Sequence, residues 1–568
     1  MTAMPDAAAG AGEQGRDEVI VYPARLVRTL DPARPTARAI AVQGDRIRAV
    51  GTVGELAAYG PARVDDRYAG QVLVPGFVEA HSHSSGGGLW RFPYLGYLDR
   101  VAPDGTSWPG CRTVADILRR LRQADAAMGD PDEPLVAWGM DPIFYPGERL
   151  VARHLDEISA RRPIYIQHQS FHHATVNTAL MQRDGITRDT AVPGVLKDGR
   201  GDPVGELAES AAMALVTSVR GLLTGGLDAD VLLNFGRDAR NNGITTAVDL
   251  GNPDLMSDAT VAVYRDTAAT AGFPIRIPVA AFAFGWGGSA VAPVAELAER
   301  LVTLRDESTD KVRFGIVKFV LDGTIQGFTA RVDPPGYLGT AQRGVWVCSP
   351  EEFRAAFDVC HAAGLQIHAH CNGDQATELF LDVAESSLAR HPRWDHRHTV
   401  THSQLSTAAQ YRRMAALGVG ANIFANHIWA FGDMHLDVTL GVDRASRMNA
   451  AATALRSGVP ISLHSDSPVT PLGPLATMKH AVTRLTQSGR VMGEFERITS
   501  AEALRAVTLG AAYLMKLDAE IGSIEAGKFA DLAVLAQDPL AVEPEALPDI
   551  EVLGTVLGGQ HQPAGQAG

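Results

Sequence analysis

The 568-residue sequence predicts an α/β protein: a (β/α)8 (TIM) barrel, a small β-sandwich domain built from both termini, and a large insertion after barrel strand 1. Three observations carry that expectation. Apolar strand-like runs alternate with amphipathic helical stretches through the middle of the chain. Eight such runs can be counted, the number at which a parallel sheet closes into a barrel. The two ends share a different texture, of short β-branched runs broken by Gly, Pro and Asp.

Taken in order, residues 1–17 are rich in small and acidic residues and hold no apolar signal-peptide core, which predicts a disordered tail. Short strands are expected over 18–30, 37–51 and 71–77, and again over 521–537 and 550–559, so that 18–74 and 505–568 form one domain. The barrel spans 75–504. Its strands are read at 72–83, 243–251, 276–284, 314–320, 365–370, 398–403, 418–424 and 460–466, with helices such as 290–307 and 349–364 between them. Neighbouring strands mostly begin about thirty to fifty residues apart, as βα units do. The gap between His83 and Gly243 is far larger. Residues 84–235 therefore read as an insertion with its own helix (114–128) and strands (134–140, 163–169), lying over the mouth, where the loops after barrel strands face the active site.

A hydrophobic share of 46% and a charged share of 20% suit an ordinary globular core. The net charge of −14 repels nucleic-acid phosphates and anionic membranes, leaving a small molecule as the expected partner. No apolar run is long enough to span a bilayer. Cys111, Cys348, Cys360 and Cys371 form neither a C-x-x-C pair nor a disulfide rhythm, which suits a reducing, cytoplasmic setting.

Polar residues at the C-terminal ends of barrel strands carry the chemistry. The first strand ends in His81-Ser82-His83, whose imidazoles, two residues apart, face one side and form a two-nitrogen clamp. Strands five and six end in His370 and His402, and strand eight in Asp466; His368 and His464 lie two residues earlier on their strands. Singly, each histidine reads as a satisfied core residue. Together with Asp466 they form a ligand set that suits zinc or a similar first-row divalent ion. Asp466 beside a metal-bound water can take its proton and pass it to a leaving group. No G-x-S-x-G elbow offers a serine instead. Lys318 lies inside the apolar run FGIVKFV, where an ammonium is costly to bury. Two readings stand: it snorkels or pairs with a buried acid, or it is neutral and takes up carbon dioxide as a carbamate that bridges two ions.

Val74-Pro75-Gly76-Phe77-Val78-Glu79-Ala80-His81-Ser82-His83 resembles the P-G-F-x-D-x-H-x-H signature of the amidohydrolase superfamily, and residues 498–535, with Gly522 through Asp531, resemble its closing segment. Val317-Lys318-Phe319, Asp322-Gly323-Thr324, the run His370 through Ala376, His402-Ser403-Gln404 and Ser465-Asp466-Ser467-Pro468 are similar to the amidohydrolase-3 branch, which includes N-substituted formamide deformylases. The resemblance covers about residues 18 to 560. It implies that His81 and His83 hold one metal, His370 and His402 another, with Lys318 as carboxylated bridge and Asp466 as ligand and proton shuttle. Two ions are expected if Lys318 is carboxylated, one if it is not. His172 through Asn177 looks like the branch's G-H-x-x-x-x-N stretch, with Phe171 where glycine is usual, and Gly205 through Glu209 looks like its G-x-x-x-E. A homodimer is plausible by the same analogy.

His172, Asp322, Phe328 and Trp429 are the expected substrate contacts, and Phe284, Trp286 and Phe431 are further aromatic candidates after barrel strands. The expected reaction is hydrolysis of a C–N bond in an amide, N-substituted formamide or cyclic amide. The alternatives are a metal-dependent decarboxylase or isomerase on the same barrel, and a non-catalytic scaffold; the intact ligand positions argue against the last.

Overall fold

The computed structural model describes residues 18–59, 61–147, 149–219, 222, 227–284 and 290–565. The expected tail over 1–17 and Trp286 lie outside the described residues.

Eight strands run side by side in parallel: β1 (Phe77–Ser82), β2 (Ile244–Asn252), β3 (Ile277–Phe282), β4 (Val312–Val320), β5 (Gln366–Cys371), β6 (Thr399–His402), β7 (Gly420–Ile423) and β8 (Ile461–Leu463). Their composition fits strands buried on both faces, which need no polar alternation. Ile367, Ala369, Val317 and Phe319 join Phe353, Phe357 and Phe380 of the surrounding helices in the largest core cluster. Those helices start where the sequence caps them. Ser349 and Glu352 close a capping box ahead of Pro350–Ala362, and Thr407 with Gln410 does the same for Ala408–Leu417. The ring closes at its mouth. Ser82 bridges Ser467, the His83 amide donates to the Ser467 carbonyl (2.8 Å), and the Asp466 amide donates to the His81 carbonyl (3.1 Å).

Strands from both chain ends form one eight-stranded sheet, in which Val72–Pro75 pairs antiparallel with Leu532–Leu535. One step further, Gly76 turns the chain into β1. A Cβ there would lie 2.0 Å from the Thr245 hydroxyl, so only glycine fits that approach. The sheet is fastened beneath the barrel by Arg276, just before β3. Its guanidinium donates to both Asp531 oxygens (2.6 and 3.1 Å) and stacks on Phe529, and Asp531 also accepts from the Gly558 amide (2.7 Å).

Between β1 and the helix Ala229–Asn241, the insertion builds a five-stranded sheet from strands between Leu135 and Ala208, with two apolar cores of its own. It grips the barrel rim. Arg100 donates to the Pro468 and Val469 carbonyls (2.6 and 3.1 Å), Gln169 donates to Val469 (2.7 Å), and Phe144 stacks on Phe431 at 5.3 Å. No helix among the described residues is long and apolar enough to cross a membrane.

Away from the mouth, the Ile367 amide donates to Nδ1 of His398, and Nε2 of His398 meets Nδ1 of His361 at 2.8 Å. His361 Nε2 faces the His391 carbonyl (2.7 Å), and His396 Nε2 that of Leu417 (2.8 Å). Carbonyls only accept, so each ring is neutral and has no acceptor left for a second proton. Burial accordingly lowers all three histidines below their ordinary value.

Two outcomes are expected. Asp531→Ala leaves Arg276 with Asp310 alone, which it meets at 2.8 Å, and should cost about 1–3 kcal/mol in denaturant unfolding. Because the three histidines take up protons more readily when unfolded, their contribution to stability is complete above about pH 6.5 and is lost as pH falls below it. Unfolding midpoints measured from pH 8 to pH 5, with His398→Gln as reference, would show this as a shallower acid slope in the variant.

Candidate active site

The ends of the barrel strands and the insertion enclose a cavity of about 260 Å³. His81, His83, Lys318, His370, His402 and Asp466 all line it. The Asp466 carboxylate stands at the centre, 3.2 Å from His81 Nε2, 3.6 Å from His83 Nε2 and 3.7 Å from His402 Nδ1. Donor atoms of His81, His83 and Asp466 lie within 4.8 Å of one another, as do those of His81, His402 and His464. The rings of His370 and His402 meet edge to face at 4.4 Å. His370 turns its Nε2 to the Gly323 carbonyl (3.2 Å) and the Asn372 amide (2.9 Å) instead of to Asp466. His464 is the nearer histidine, and the same-face relation of residues 464 and 466 was its signal.

Burial strips these imidazoles of water and lowers them: His81 and His402 well below their ordinary value, His370 and His464 to about 3. Asp466 goes the other way from a buried acid. Burial alone would raise it, but the ring N–H groups that His81 and His83 turn toward it hold its carboxyl well below the usual range. Neutral imidazoles around an ionised carboxylate are the protonation states metal ligands need. Lys318 is 2% exposed, its Nζ has no hydrogen-bond partner among the described residues, and burial pushes its pKa down to about 7. His81 Nδ1, His402 Nδ1 and both nitrogens of His464 are likewise buried without hydrogen-bond partners among the described residues. Buried polar atoms are nearly always satisfied, so a concentration of orphans around one carboxylate fits a divalent cation. Beneath it, Glu79 accepts from the Ser465 hydroxyl (2.7 Å) and amide (3.2 Å), strapping β1 to the Asp466 segment; burial raises its carboxyl to about 8.

The insertion contributes a second polar group. His172 Nδ1 meets Glu209 Oε2 at 2.7 Å, and its ring lies 5.3 Å from that of His370. Burial would lower His172, but the Glu209 charge outweighs it and raises the imidazole; reciprocally, His172 brings Glu209 down to about 2 against the effect of burial. Polar lining comes also from Asn372, Gln404 and His427, and apolar lining from Leu89, Phe171, Leu227, Phe282 and Phe284.

Three expected substrate contacts sit elsewhere. Asp322 is fully buried behind the wall, accepting from the backbone amides of Asn372 (3.0 Å), Gly373 (2.8 Å) and Arg331 (2.9 Å), so it shapes the loop after β5. Phe328 packs on Tyr337 at 5.1 Å, and Trp429 stacks on His480 at 5.3 Å. Neither lines the cavity, and Phe431 is taken up by Phe144 and His427. One lining group passed over in the sequence is Asp249, at the end of β2, which accepts from the hydroxyls of Ser84 (2.5 Å) and Tyr264. Its signal was an acid closing an apolar run, as at Asp466.

The sequence model of the amidohydrolase family matches residues 69–561. The chain belongs to the amidohydrolase family. Membership makes it a metal-dependent hydrolase acting on carbon–nitrogen bonds. It is 26% identical to Protein LONG AFTER FAR-RED 3 of Arabidopsis thaliana over 551 residues, covering 94% of this chain and 89% of that protein. To the N-substituted formamide deformylase of Arthrobacter pascens it is 26% identical over 566 residues, covering 96% and 98%. An uncharacterized metal-dependent hydrolase from Pyrococcus horikoshii OT3 shares the fold, with a TM-score of 0.69 at 18% identity over 93% of this chain and 99% of that one.

The wall geometry separates two phenylalanine and tryptophan positions by experiment. Phe284→Ala should alter kcat/KM for amides with an apolar substituent by about tenfold or more, while Trp429→Ala leaves it unchanged. Steady-state kinetics of both variants on one substrate series decides the point.

Proposed function

We propose that the protein hydrolyses the C–N bond of a small amide, with N-substituted formamides as the favoured class, using one or two zinc-like ions held by His81, His83, His370, His402, Lys318 and Asp466. The observation that carries this reading is the Asp466 carboxylate ringed by neutral histidines beside an unpartnered, buried lysine. An ion bound there would lower the pKa of water and polarise the scissile carbonyl.

The chain's own residues then have distinct tasks. Asp466, ionised, would accept the proton of the attacking water and return it to the leaving nitrogen. Lys318 has much of its amine neutral near pH 7, so the nitrogen can attack carbon dioxide, losing one proton and becoming an anionic carbamate. His172, fixed through Nδ1 by Glu209, presents its other edge to the substrate oxygen. Phe282, Phe284 and Leu227 take the apolar substituent and exclude water. The relative named a formamide deformylase supports the substrate class, and four buried free cysteines support a cytoplasmic setting.

The test begins with metal content by elemental analysis of protein purified without chelator or added metal. About two ions per chain are expected, falling to one or none in Lys318→Ala. Asp466→Asn should lower kcat on formamides by about 10²–10⁴-fold. Undiminished metal content and activity in Lys318→Ala would remove the carbamate, and no hydrolysis of any amide by metal-replete protein would remove the reading itself.

A further inference from the structure

The strands Ile164–His168 and His173–Val176 of the insertion pair antiparallel, and the turn between them points into the cavity. In that turn Phe171 has φ = 61°, and its amide donates to the His168 carbonyl at 3.1 Å. A bulky side chain in the left-handed region crowds its own backbone, whereas glycine adopts the same turn freely. Here the strained residue is kept.

What the ring does is visible on its two sides. One side lines the cavity with Leu89, Leu227 and Phe282. The ring also packs against a cluster inside the insertion made of Tyr94, Trp138 and the same Leu89, flanked by Trp90 and Trp108. Phe171, with Leu89, thus stands where the reaction cavity meets the packed Tyr94–Trp138 cluster. It is also bonded in sequence to His172, whose carbonyl accepts from the amide of Glu209, itself left-handed at φ = 62°. Both strained residues lie on the edge of the insertion that meets the barrel, and strain held at such a place points to function.

We propose that Phe171 is a specificity-determining residue: its ring closes the insertion side of the cavity and limits substrates to amides whose apolar substituent is an alkyl chain or a single ring. Removing the ring adds its volume to the cavity on the side of the Tyr94–Trp138 cluster, room that a fused aromatic group can fill. The amide class rests on the hydrolase reading above, but the size limit belongs to the cavity and can be measured without turnover.

The experiment compares unmodified protein with Phe171→Gly and Phe171→Ala, all loaded with zinc, in two ways. Dissociation constants are measured for acetohydroxamate and 2-naphthohydroxamate, and kcat/KM for N-methylformamide and N-(naphthylmethyl)formamide. In Phe171→Gly, preference for the naphthyl over the methyl probe should rise by about tenfold or more in both measurements. Phe171→Gly should also melt above Phe171→Ala, since glycine alone releases the left-handed strain while both lose the ring. If Phe171→Gly does not fold, Phe171→Leu carries the same comparison, with a smaller rise expected. A hydroxamate preference that shifts while no variant cleaves either formamide would uphold the size limit and remove formamides as the favoured class. Unchanged preference in folded variants of normal metal content would overturn the proposal.

Discussion

The barrel closes through the same residues that carry its chemistry. β8 ends at Leu463, too early to pair along β1, and the seam is completed by the backbone of His81, His83, Asp466 and Ser467. A parallel sheet edge left open would expose unpaired amides and carbonyls, so these bonds are required by the fold whatever sits at the mouth. Their side effect is chemical. The Asp466 amide is tied to the His81 carbonyl, so the carboxylate and both histidines of β1 cannot drift apart while the barrel is closed. Glu79 and the Asn422 amide, which donates to the Ala80 carbonyl (3.0 Å), reinforce the same seam from inside.

A second layer of constraint comes from the insertion. A lid that opens freely would share few bonds with the rim, whereas this one donates three hydrogen bonds to the Pro468–Val469 carbonyls, two residues beyond Asp466. It buttresses the loop that carries the central carboxylate. The water exclusion that results has a definite electrostatic sense: desolvation keeps the histidines neutral and Lys318 partly so, while the clustered imidazoles keep Asp466 charged. One dry environment sets acid, base and amine states differently because each group starts from a different charge.

Strand-end polarity made most of this legible from sequence. A histidine or aspartate closing an apolar run marks the barrel mouth, and His81, His83 and His402 are brought there to 3.2, 3.6 and 3.7 Å from the Asp466 carboxylate. Rotation about χ1 and competition among nearby acceptors are not written in that pattern. His370 therefore reached the cavity but turned to Gly323, and His464 came nearer than its neighbour suggested. The aromatics Phe328 and Trp429 were illegible for another reason: one lies on a loop and the other on the helix Asn426–Met434, where no two-residue alternation fixes the side a ring takes, and Tyr337 and His480 captured them. The pairing of the two chain ends could be read because both carried the same texture of short β-branched strands and Gly turns. Its fastening through Arg276 and Asp531, 255 positions apart, could not.

Backbone strain links these observations. His402, Asp466, Phe171 and Glu209 all line the cavity and all hold left-handed φ angles, of 71°, 54°, 61° and 62°. At about 1–2 kcal/mol per residue, four such positions oppose folding by an amount comparable with much of a domain's net stability. Selection for stability alone would replace them with glycine or asparagine, or straighten the turns. A strand that continued past His402 or Asp466 would carry those side chains past the mouth and send the next residue outward; reversing the backbone at that point leaves the functional group at the rim, aimed inward. The insertion repeats the device at Phe171 and Glu209, from the opposite wall. The barrel seam and the grip of Arg100 and Gln169 supply the stability that lets these turns persist, so the scaffold's firmest contacts and its most strained residues are parts of one arrangement.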